Sequence, residues 1–447
     1  MLALIPSRII KSFSKFMSRS GGRPGTVASL LTVLGVISLW PFSGGEDVSN
    51  ARENIISGNR TDFWGGFSQL FYSSFRFDAP TWHICLGLLH ALFVWLGSRV
   101  AISILFILKR SRLSFLLLLV IHFFATIYVL SLSRDASLLA FAWLGIALLF
   151  RFFSVKESKF LILILGMFFL ILGLSFRPWL AIAFTPLLVG IIHFSDIFKN
   201  KGVKNVFLIF ASLSLSVTPL IFDISSKKFN NLKSSFPEQQ VMILDISSMV
   251  CLSPDKNVQL LATTSLKPIS NTSDLTREKI CGQFYPQSWA SLVFYSNPND
   301  PALRMISIDD YRTYQTLRKS WLELIIHEPI QYIQVKIIQV SQLFFAGDSI
   351  NLVPKTFFDI PLIPFEILKA LRLFSFLPVL LFFSWITFSS RIQINSKIRK
   401  LIFLTYIFAT LNITIAFIGD NQRYISWLSI LLFFTYLIAP NKLRKEL

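Results

Sequence analysis

Runs of about 20 apolar residues recur along this chain and constrain its fold more than any other feature. As a helix, a run of that length crosses the ~30 Å hydrocarbon layer of a lipid bilayer. A water-soluble chain of 447 residues could not bury a composition that is 53% hydrophobic and only 15% charged. A transmembrane barrel would instead show alternating segments of ~10 residues. The sequence therefore predicts an all-α polytopic membrane protein.

Hydropathy and charge together predict the number and direction of the spans. About ten transmembrane helices are expected, at residues 27–42, 81–108, 113–132, 136–153, 160–176, 179–194, 206–222, 366–388, 401–418 and 424–439. Lys and Arg cluster after every second span and in both terminal segments. Because such clusters stay on the cytoplasmic side, both termini are expected in the cytoplasm and the chain in an inner (plasma) membrane.

This topology divides the chain into four parts. Residues 1–26 resemble a basic amphipathic helix on the cytoplasmic surface, residues 27–222 form an N-terminal transmembrane module, and residues 366–447 form a C-terminal one. Residues 223–365 are polar and rich in turn residues, which predicts a folded extracytoplasmic insert of mixed structure. From His327 the insert ends in a segment with Gln and Lys among apolar residues. We expect that segment to lie in the membrane interface or to line a polar cavity.

Two of the three cysteines, Cys251 and Cys281, lie in this insert, while Cys85 lies in an apolar span. Two cysteines in one extracytoplasmic region predict a disulfide. It would close a loop of about 30 residues and stabilise the fold by roughly 3 kcal/mol. The alternative is a pair of unpaired buried thiols.

The net charge of +19 does not indicate a nucleic-acid partner, because the basic residues lie in short segments between apolar runs. Such segments suit the anionic headgroups of lipids, and no basic-aromatic platform or known nucleic-acid motif accompanies them. The expected partner is the lipid bilayer.

Acidic residues directly after the first predicted span form the first candidate site. Glu46 and Asp47 follow a Gly-Gly pair and precede an amphipathic stretch. A carboxylate fixed at the end of a span and partly shielded from water has the placement of a general base. The alternative is a solvated cap of a short helix, whose dipole favours an acid at its start.

Two short turns bring arginine to the same predicted face. Arg134 and Asp135 precede the fourth span, and Arg177 lies before Pro178 at the start of the sixth. An arginine at this depth suits a phosphate group, which it holds through a planar fork of donors. The alternatives are an Arg134–Asp135 ion pair, a helix cap by Asp135, and a plain helix start at Pro178.

The stretch GDNQRYISWL, residues 419–428, opens the last predicted span. Asp420, Arg423 and Tyr424 form a polar group there between two apolar runs, on the same predicted face as the other candidates. Arg423 is a candidate to hold a lipid phosphate. Asp420 either orients Arg423 or caps the last helix, where the dipole favours an acid.

Motifs for other chemistries are not found in the sequence. It has no phosphate-binding loop, no G-x-G-x-x-G dinucleotide motif and no G-x-S-x-G nucleophile elbow. The histidines are scattered without the spacing of metal ligands. No metal and no nucleotide cofactor is therefore expected.

Four segments resemble motifs of the GT-C superfamily, the polytopic membrane glycosyltransferases that use polyprenyl-phosphate-linked sugars. They are EDVSNARENIISG (46–58), SRDASLLAFAWLGIALLFR (133–151), SWLELIIHEPIQYIQVKIIQ (320–339) and DNQRYISWL (420–428). The first is similar to the family's acidic stretch after the first span, and the second to its entry into a helix around an aspartate. The third is similar to a Trp, His-Pro and Tyr-basic segment of bacterial members. The last resembles the start of a late span in the protein mannosyltransferase-like branch.

The resemblance implies a GT-C-like fold and an inverting glycosyltransferase that transfers a hexosyl or pentosyl group on the extracytoplasmic face. Asp47 would be the general base, with Glu46 as its substitute. The substrate-binding residues would be Arg134, Asp135, Arg177, Asp420, Arg423 and Tyr424, with the arginines on the leaving phosphate. The donor would be a polyprenyl-phosphate sugar and the acceptor a cell-envelope glycan or glycolipid. The first outer loop has no Asp-x-Asp motif, which favours a reaction without metal.

Other classes of membrane protein fit parts of the same pattern. An O-antigen polymerase or ligase would also place arginines in large outer loops, but it would not need an acid after the first span. A transporter or flippase would need polar residues in the middle of spans, and the sequence has few of them, Asn412 being one. A non-catalytic assembly protein is the remaining alternative.

Overall fold

The computed structural model describes residues 23–39, 42, 46–57, 65–74, 79–130, 132–154, 160–194, 201–233, 239–269, 275–284, 310–345, 379–382, 384–385, 396–416 and 421–439. Its first helices are α1 (Arg23–Leu39), α2 (Glu46–Ile56), α3 (Gly66–Ser73), α4 (Ala79–Ile107), α5 (Arg112–Val129), α6 (Arg134–Ser154), α7 (Phe160–Ser175), α8 (Ala181–Phe194) and α9 (Lys201–Phe229). They are followed by α10 (Gln239–Leu252), α11 (Lys256–Leu266), α12 (Arg277–Gln283), α13 (Tyr311–His327), α14 (Pro329–Phe345), α15 (Ser396–Ala416) and α16 (Asn421–Ile438).

Among the described residues, four helical segments are long and apolar enough to cross a membrane: Thr81–Ile107, Arg112–Val129, Arg134–Ser154 and Lys201–Phe229. Shorter apolar helices at Pro24–Leu39, Phe160–Ser175 and Trp427–Ile438 coincide with three further predicted spans. These findings confirm the expected helical architecture with helices able to cross a membrane, while the full set of about ten spans stays a prediction. The predicted span at 366–388 lies mostly outside the described residues, as does the amphipathic segment at 1–26.

Helix α6 lies at the centre of the bundle, where small residues let its neighbour approach closely. In its most apolar stretch 89% of the residues are buried, and the helix packs against α4, α7 and α16. A Cβ at Gly145 would lie 2.7 Å from the backbone N of Leu170, and one at Gly173 would lie 2.9 Å from the backbone N of Ala142. The glycines therefore allow α6 and α7 to meet backbone to backbone, as closely packed membrane helices do.

A buried polar network joins four helices inside the bundle. His122 of α5 lies 2.9 Å from the hydroxyls of both Thr32 in α1 and Ser98 in α4. The Ser98 hydroxyl also accepts a hydrogen bond from the Trp143 indole of α6, at 3.1 Å. Because an unpaired polar group is costly in hydrocarbon, this network helps to fix how α1, α4, α5 and α6 pack together.

The outward face of α9 is apolar and exposed. In its most apolar stretch only 17% of the residues are buried. The side chains of Val206, Ile209, Phe210 and Leu213 are all more than half exposed. An exposed apolar face of this kind is expected where a helix meets lipid rather than water.

Successive helices of the bundle run in opposite directions, which gives it two different ends. At one end, Arg110 donates to the backbone carbonyl of Ala439, and Arg151 donates to the Ser103 hydroxyl at 2.7 Å. We call this the basic end. At the other end, the turn before α6 meets the turn after α7. We call that the site end.

The described residues of the predicted insert form helices α10 to α14 around a hydrophobic core of their own, which includes Met242, Ile246 and Leu317. The sulfurs of Cys251 and Cys281 are bonded and the Cα atoms are 5.5 Å apart, so the predicted disulfide joins α10 to α12. The regular elements described in the insert are helices, and the predicted mixed structure is not confirmed by them.

Candidate functional site

The site end is built around a buried ion pair between Asp135 and Arg177. The Nε and Nη2 atoms of Arg177 donate to the two carboxylate oxygens of Asp135, at 2.9 and 3.1 Å. The side chains are only 3% exposed for Arg177 and 1% for Asp135. Asp135 lies in the first turn of α6, where the helix dipole also favours a carboxylate. Its ion-pair partner is thus Arg177 and not the adjacent Arg134.

A tight turn after α7 presents Arg177 to this carboxylate. The Arg177 N–H donates to the carbonyl of Leu174 at 3.0 Å, and its carbonyl accepts from the N–H of Leu180 at 2.9 Å. Pro178 is the first residue of a short 3-10 helix, Pro178–Leu180, where its missing N–H is not needed. The helix start expected from the sequence and the buried arginine therefore occur together. Because Asp135 compensates the charge of Arg177, this arginine offers a ligand less net positive charge than the sequence indicated.

A directed chain of hydrogen bonds lies beside the ion pair. His90 Nδ1 lies 3.2 Å from the carbonyl oxygen of Val129, which can only accept, so a neutral His90 carries its hydrogen there. His90 Nε2 then accepts from the Ser137 hydroxyl at 3.0 Å, and the Tyr72 hydroxyl donates to Ser137 at 2.8 Å. The three side chains are fully buried.

The phenol of Tyr72 is held in its neutral form. Burial raises the pKa of Tyr72, while its bond to Ser137 and the nearby Arg134 oppose the shift. Arg134, Asp135 and Arg177 are all near enough to Tyr72 to interact with it electrostatically. Tyr72 therefore marks the point where α3, α6 and the turn after α7 converge.

Two glycines bring the backbone of α3 against α9. A Cβ at Gly66 would lie 2.5 Å from the carbonyl oxygen of Asp223 and 2.7 Å from the backbone N of Lys227, so only glycine fits. Gly65 has a φ of 78°, which glycine adopts without strain. The Asp223 carboxylate accepts from the N–H of Phe67 at 3.3 Å and lies 3.2 Å from the Lys227 ammonium. It therefore caps the start of α3.

Arg134 faces the place where Gly65, Asp223 and Lys227 meet, which we call the corner. A Cβ on Gly65 would lie 3.4 Å from Asp223 Oδ1 and 3.9 Å from Arg134 Nη1, so both charged groups flank this glycine. Together with Lys227, Arg134 gives the corner two cations around one carboxylate.

Helix α2, which begins at Glu46, is linked to the site through Trp82. The Arg52 guanidinium lies 5.3 Å from the centre of the Trp82 ring, and the Trp82 ring meets the edge of Tyr72 at 6.0 Å. The Trp82 indole N–H is buried and has no hydrogen-bond partner among the described residues. α2 also packs against α3. The backbone of Glu46 and Asp47 is thus placed at the site end, while their side chains lie outside the described structure.

The last candidate group begins α16. Asp420 lies outside the described residues, and of Arg423 and Tyr424 only the helical backbone is described. One turn further on, fully buried Trp427 stacks with Phe184 of α8 at 6.3 Å. Phe184 lies two turns after Arg177, so the start of α16 is on the same side of the bundle as the buried ion pair.

A second polar cluster lies in the insert, around the fully buried carboxylate of Asp245. It accepts hydrogen bonds from the Trp321 indole at 3.1 Å and the Tyr332 hydroxyl at 3.0 Å, and it pairs with the Lys336 ammonium. Gln339 donates to Ser248 one helical turn away. We call the group Asp245, Trp321, Tyr332 and Lys336 the insert clasp, because it joins α10, α13 and α14.

The insert clasp accounts for a motif that the sequence singled out. Trp321, Tyr332 and Lys336 are the Trp, Tyr and basic residue of the segment 320–339, and all three contact one carboxylate. Burial raises the pKa of Asp245, and Lys336 and the two neutral donors oppose the shift. Burial and the nearby Asp245 also raise the pKa of Tyr332, so its hydroxyl remains a donor. In this chain the motif has a clear packing role.

Sequence reasoning missed several of these residues. None of the motifs above includes His90, Tyr72, Asp223 or Asp245. One signal was present for Asp245, since a lone acid within the apolar run VMILDISSMV requires a buried partner. Asp223 and Gly65-Gly66 carry no comparable signal, because their role depends on a contact between distant segments, such as that of Phe67 with Asp223 across 156 positions.

Comparison with known proteins gives no match to a family model, a curated sequence or a solved structure. Among the residues that the structure describes, no three His, Cys, Asp or Glu side chains are grouped so as to hold a metal ion. The site end is therefore defined by its own geometry: a membrane-helix bundle with a buried, arginine-containing polar cluster at one end.

Proposed function

We propose that this chain is a membrane glycosyltransferase. It transfers a sugar from a polyprenyl-phosphate donor to a cell-envelope glycan or glycolipid on the extracytoplasmic face. The proposal rests on one observation. Segments that are far apart in sequence, each carrying an acid or an arginine, converge at the site end. The described contacts are the Asp135–Arg177 pair, the Arg134–Asp223 corner and the packing of α2 on α3.

The proposed reaction needs one base and one set of cations. Asp47, or Glu46 beside it, takes the proton from an acceptor hydroxyl. That oxygen then attacks the anomeric carbon of the donor sugar. The bond between this carbon and the phosphate oxygen breaks with inversion, and the polyprenyl phosphate leaves with both electrons. Cations placed where this negative charge develops accelerate the step.

The structure changes which cations we assign to the phosphate. Arg134 and Lys227 flank Asp223 at the corner beside Gly65 and are the first choice. Arg423 is the third candidate cation, because its backbone lies at the start of α16. Arg177 is assigned a positioning role, since Asp135 holds it in place and compensates its charge. The buried Trp82 indole N–H, which has no acceptor among the described residues, is a further candidate donor to the substrate.

A single matched set of variants in α2 tests the assignment. Asp47→Asn is expected to lower transfer from a lipid-linked donor in isolated membranes by about 100-fold or more, as loss of a general base does. Glu53→Gln removes a carboxylate from the same helix at a position whose side chain is 57% exposed, and it should leave transfer unchanged.

Glu46→Gln decides between the two acids. Loss with Glu46→Gln but not with Asp47→Asn would move the base by one residue. Full activity of both variants at normal expression would contradict the proposed mechanism. Arg134→Gln should lower transfer more than Lys233→Gln, a charge change outside the corner.

A further inference from the structure

The basic end of the bundle has a cluster that the proposed function does not use. Arg110, in the turn between α4 and α5, donates through Nη2 to the carbonyl of Ala439, the residue after α16. Arg399, in the first turn of α15, is 8% exposed. Both guanidinium groups are near enough to the Tyr436 hydroxyl to interact with it electrostatically. Two arginines from distant parts of the chain thus converge on one phenol.

Basic residues predominate in the described segments at this end. The described basic residues at or near it include Lys109, Arg110, Arg112, Arg151, Arg399 and Lys400. The described segments around them, 103–115, 148–154, 396–405 and 433–439, contain no Asp or Glu. The starts of α5 and α15 also point to this end, and helix N-termini carry partial positive charge.

Arg110 has unused hydrogen-bonding capacity. Its Nε is buried and has no hydrogen-bond partner among the described residues. A buried guanidinium nitrogen without a partner costs free energy unless an acceptor satisfies it. An anion beside Arg110 would supply this acceptor.

We propose that Arg110, Arg399 and Tyr436 form a binding site for the phosphate of an anionic lipid headgroup. The site lies at the ends of membrane-crossing helices, which is the depth at which headgroups lie. Arginine matches a phosphate through its planar fork, and a tyrosine hydroxyl adds a neutral donor. This site is at the opposite end from the proposed glycosyl-transfer site and does not depend on it.

Binding of short-chain lipids to the purified full-length protein in detergent tests the site. Dioctanoyl phosphatidylglycerol should bind, and dioctanoylglycerol, which lacks the phosphate, should not. Arg110→Gln should weaken phosphatidylglycerol binding about tenfold, the effect of losing a charged hydrogen bond. Arg112→Gln, an exposed arginine at the same end, should weaken it about threefold or less.

Two further variants keep the result interpretable. Arg110→Lys preserves the charge but not the fork, so its affinity should lie between wild type and Arg110→Gln. Because Arg399 is buried, Arg399→Gln is compared only if it folds, and the half-buried Arg110 otherwise carries the test. Inorganic phosphate that binds with the same variant pattern and equal affinity would assign the site to the free anion. Equal binding of dioctanoylglycerol, or equal effects of Arg110→Gln and Arg112→Gln, would overturn the proposal.

Discussion

At the scale of single residues, the site end depends on charges that compensate one another out of water. Asp135 and Arg177 come from different turns and form a two-pronged pair whose side chains are nearly inaccessible. Phe176, which precedes Arg177, packs against the aromatic rings of Phe67 and Phe71. In such surroundings the two charges attract each other strongly. Removing either partner leaves the other as an uncompensated buried charge, which destabilises the fold.

Asp135→Asn should therefore destabilise the protein by about 3 kcal/mol, because it leaves the buried Arg177 charge uncompensated. Denaturant unfolding of the purified protein in detergent measures this change. Glu53→Gln is the matched control, since its partner Arg52 is 3.0 Å away but the carboxylate is 57% exposed. It should cost less than about 1 kcal/mol. The double variant Asp135→Asn with Arg177→Gln should recover part of the loss, and purely additive effects would show that the pair is not coupled.

At the scale of helices, two different devices hold elements together. In the bundle, glycines remove side chains where helices meet, as at Gly145 between α6 and α7 and at Gly66 between α3 and α9. In the insert, the disulfide joins α10 to α12, and the insert clasp joins α10 to α13 and α14. The insert thus relies on covalent and ionic contacts in addition to a small apolar core.

Lys336→Met should loosen the insert by about 3 kcal/mol, because the Asp245 carboxylate stays buried without its cation. The control is Lys319→Met in α13, whose partner Glu323 lies 3.8 Å away in a largely exposed pair. Such a pair contributes about 0.5 kcal/mol or less. The rate of proteinase K cleavage in the insert, together with thermal unfolding, compares the two variants. Equal behaviour would mean that the insert clasp does not hold the helices together.

At the scale of the whole molecule, the two ends of the bundle differ in kind. The site end combines acids and arginines in compensated groups, whereas the described segments at the basic end carry cations without carboxylates. The positive-inside rule predicts that the basic end faces the cytoplasm. The site end would then face outward, where the disulfide of the insert is also chemically stable.

Cysteine labelling in intact cells tests this orientation. In a Cys85→Ala background, Glu53→Cys at the site end should react with a membrane-impermeant thiol reagent added outside. Arg112→Cys at the basic end should react only after the membrane is permeabilised, because both positions are exposed but lie at opposite ends. Labelling of both from outside, or the reverse pattern, would contradict the predicted topology.

Much of this molecule could be predicted from local patterns. Apolar length predicts the membrane helices because hydrocarbon leaves a backbone few other conformations. The cysteine count predicts the disulfide, since two thiols in one outer region pair readily. Residues such as Asp135 and Arg177 were singled out because a charge beside an apolar run costs free energy unless it is paired or has a function. For Asp135 and Arg177, the sequence by itself determined that a charge at the end of an apolar run had to be compensated.

Which group compensates each charge was decided only by tertiary structure. Asp135 could pair with its neighbour Arg134 on sequence grounds, yet the turn after α7 delivers Arg177 to it from 42 positions away. Asp223 has a role only because Gly66 lets α3 lie directly on α9. Trp321, Tyr332 and Lys336 looked like one motif, and the carboxylate that unites them is Asp245, on another helix. The hydropathy of a segment can be read from that segment alone. A buried ion pair depends on the distance between two segments, and that distance is set by how the helices pack.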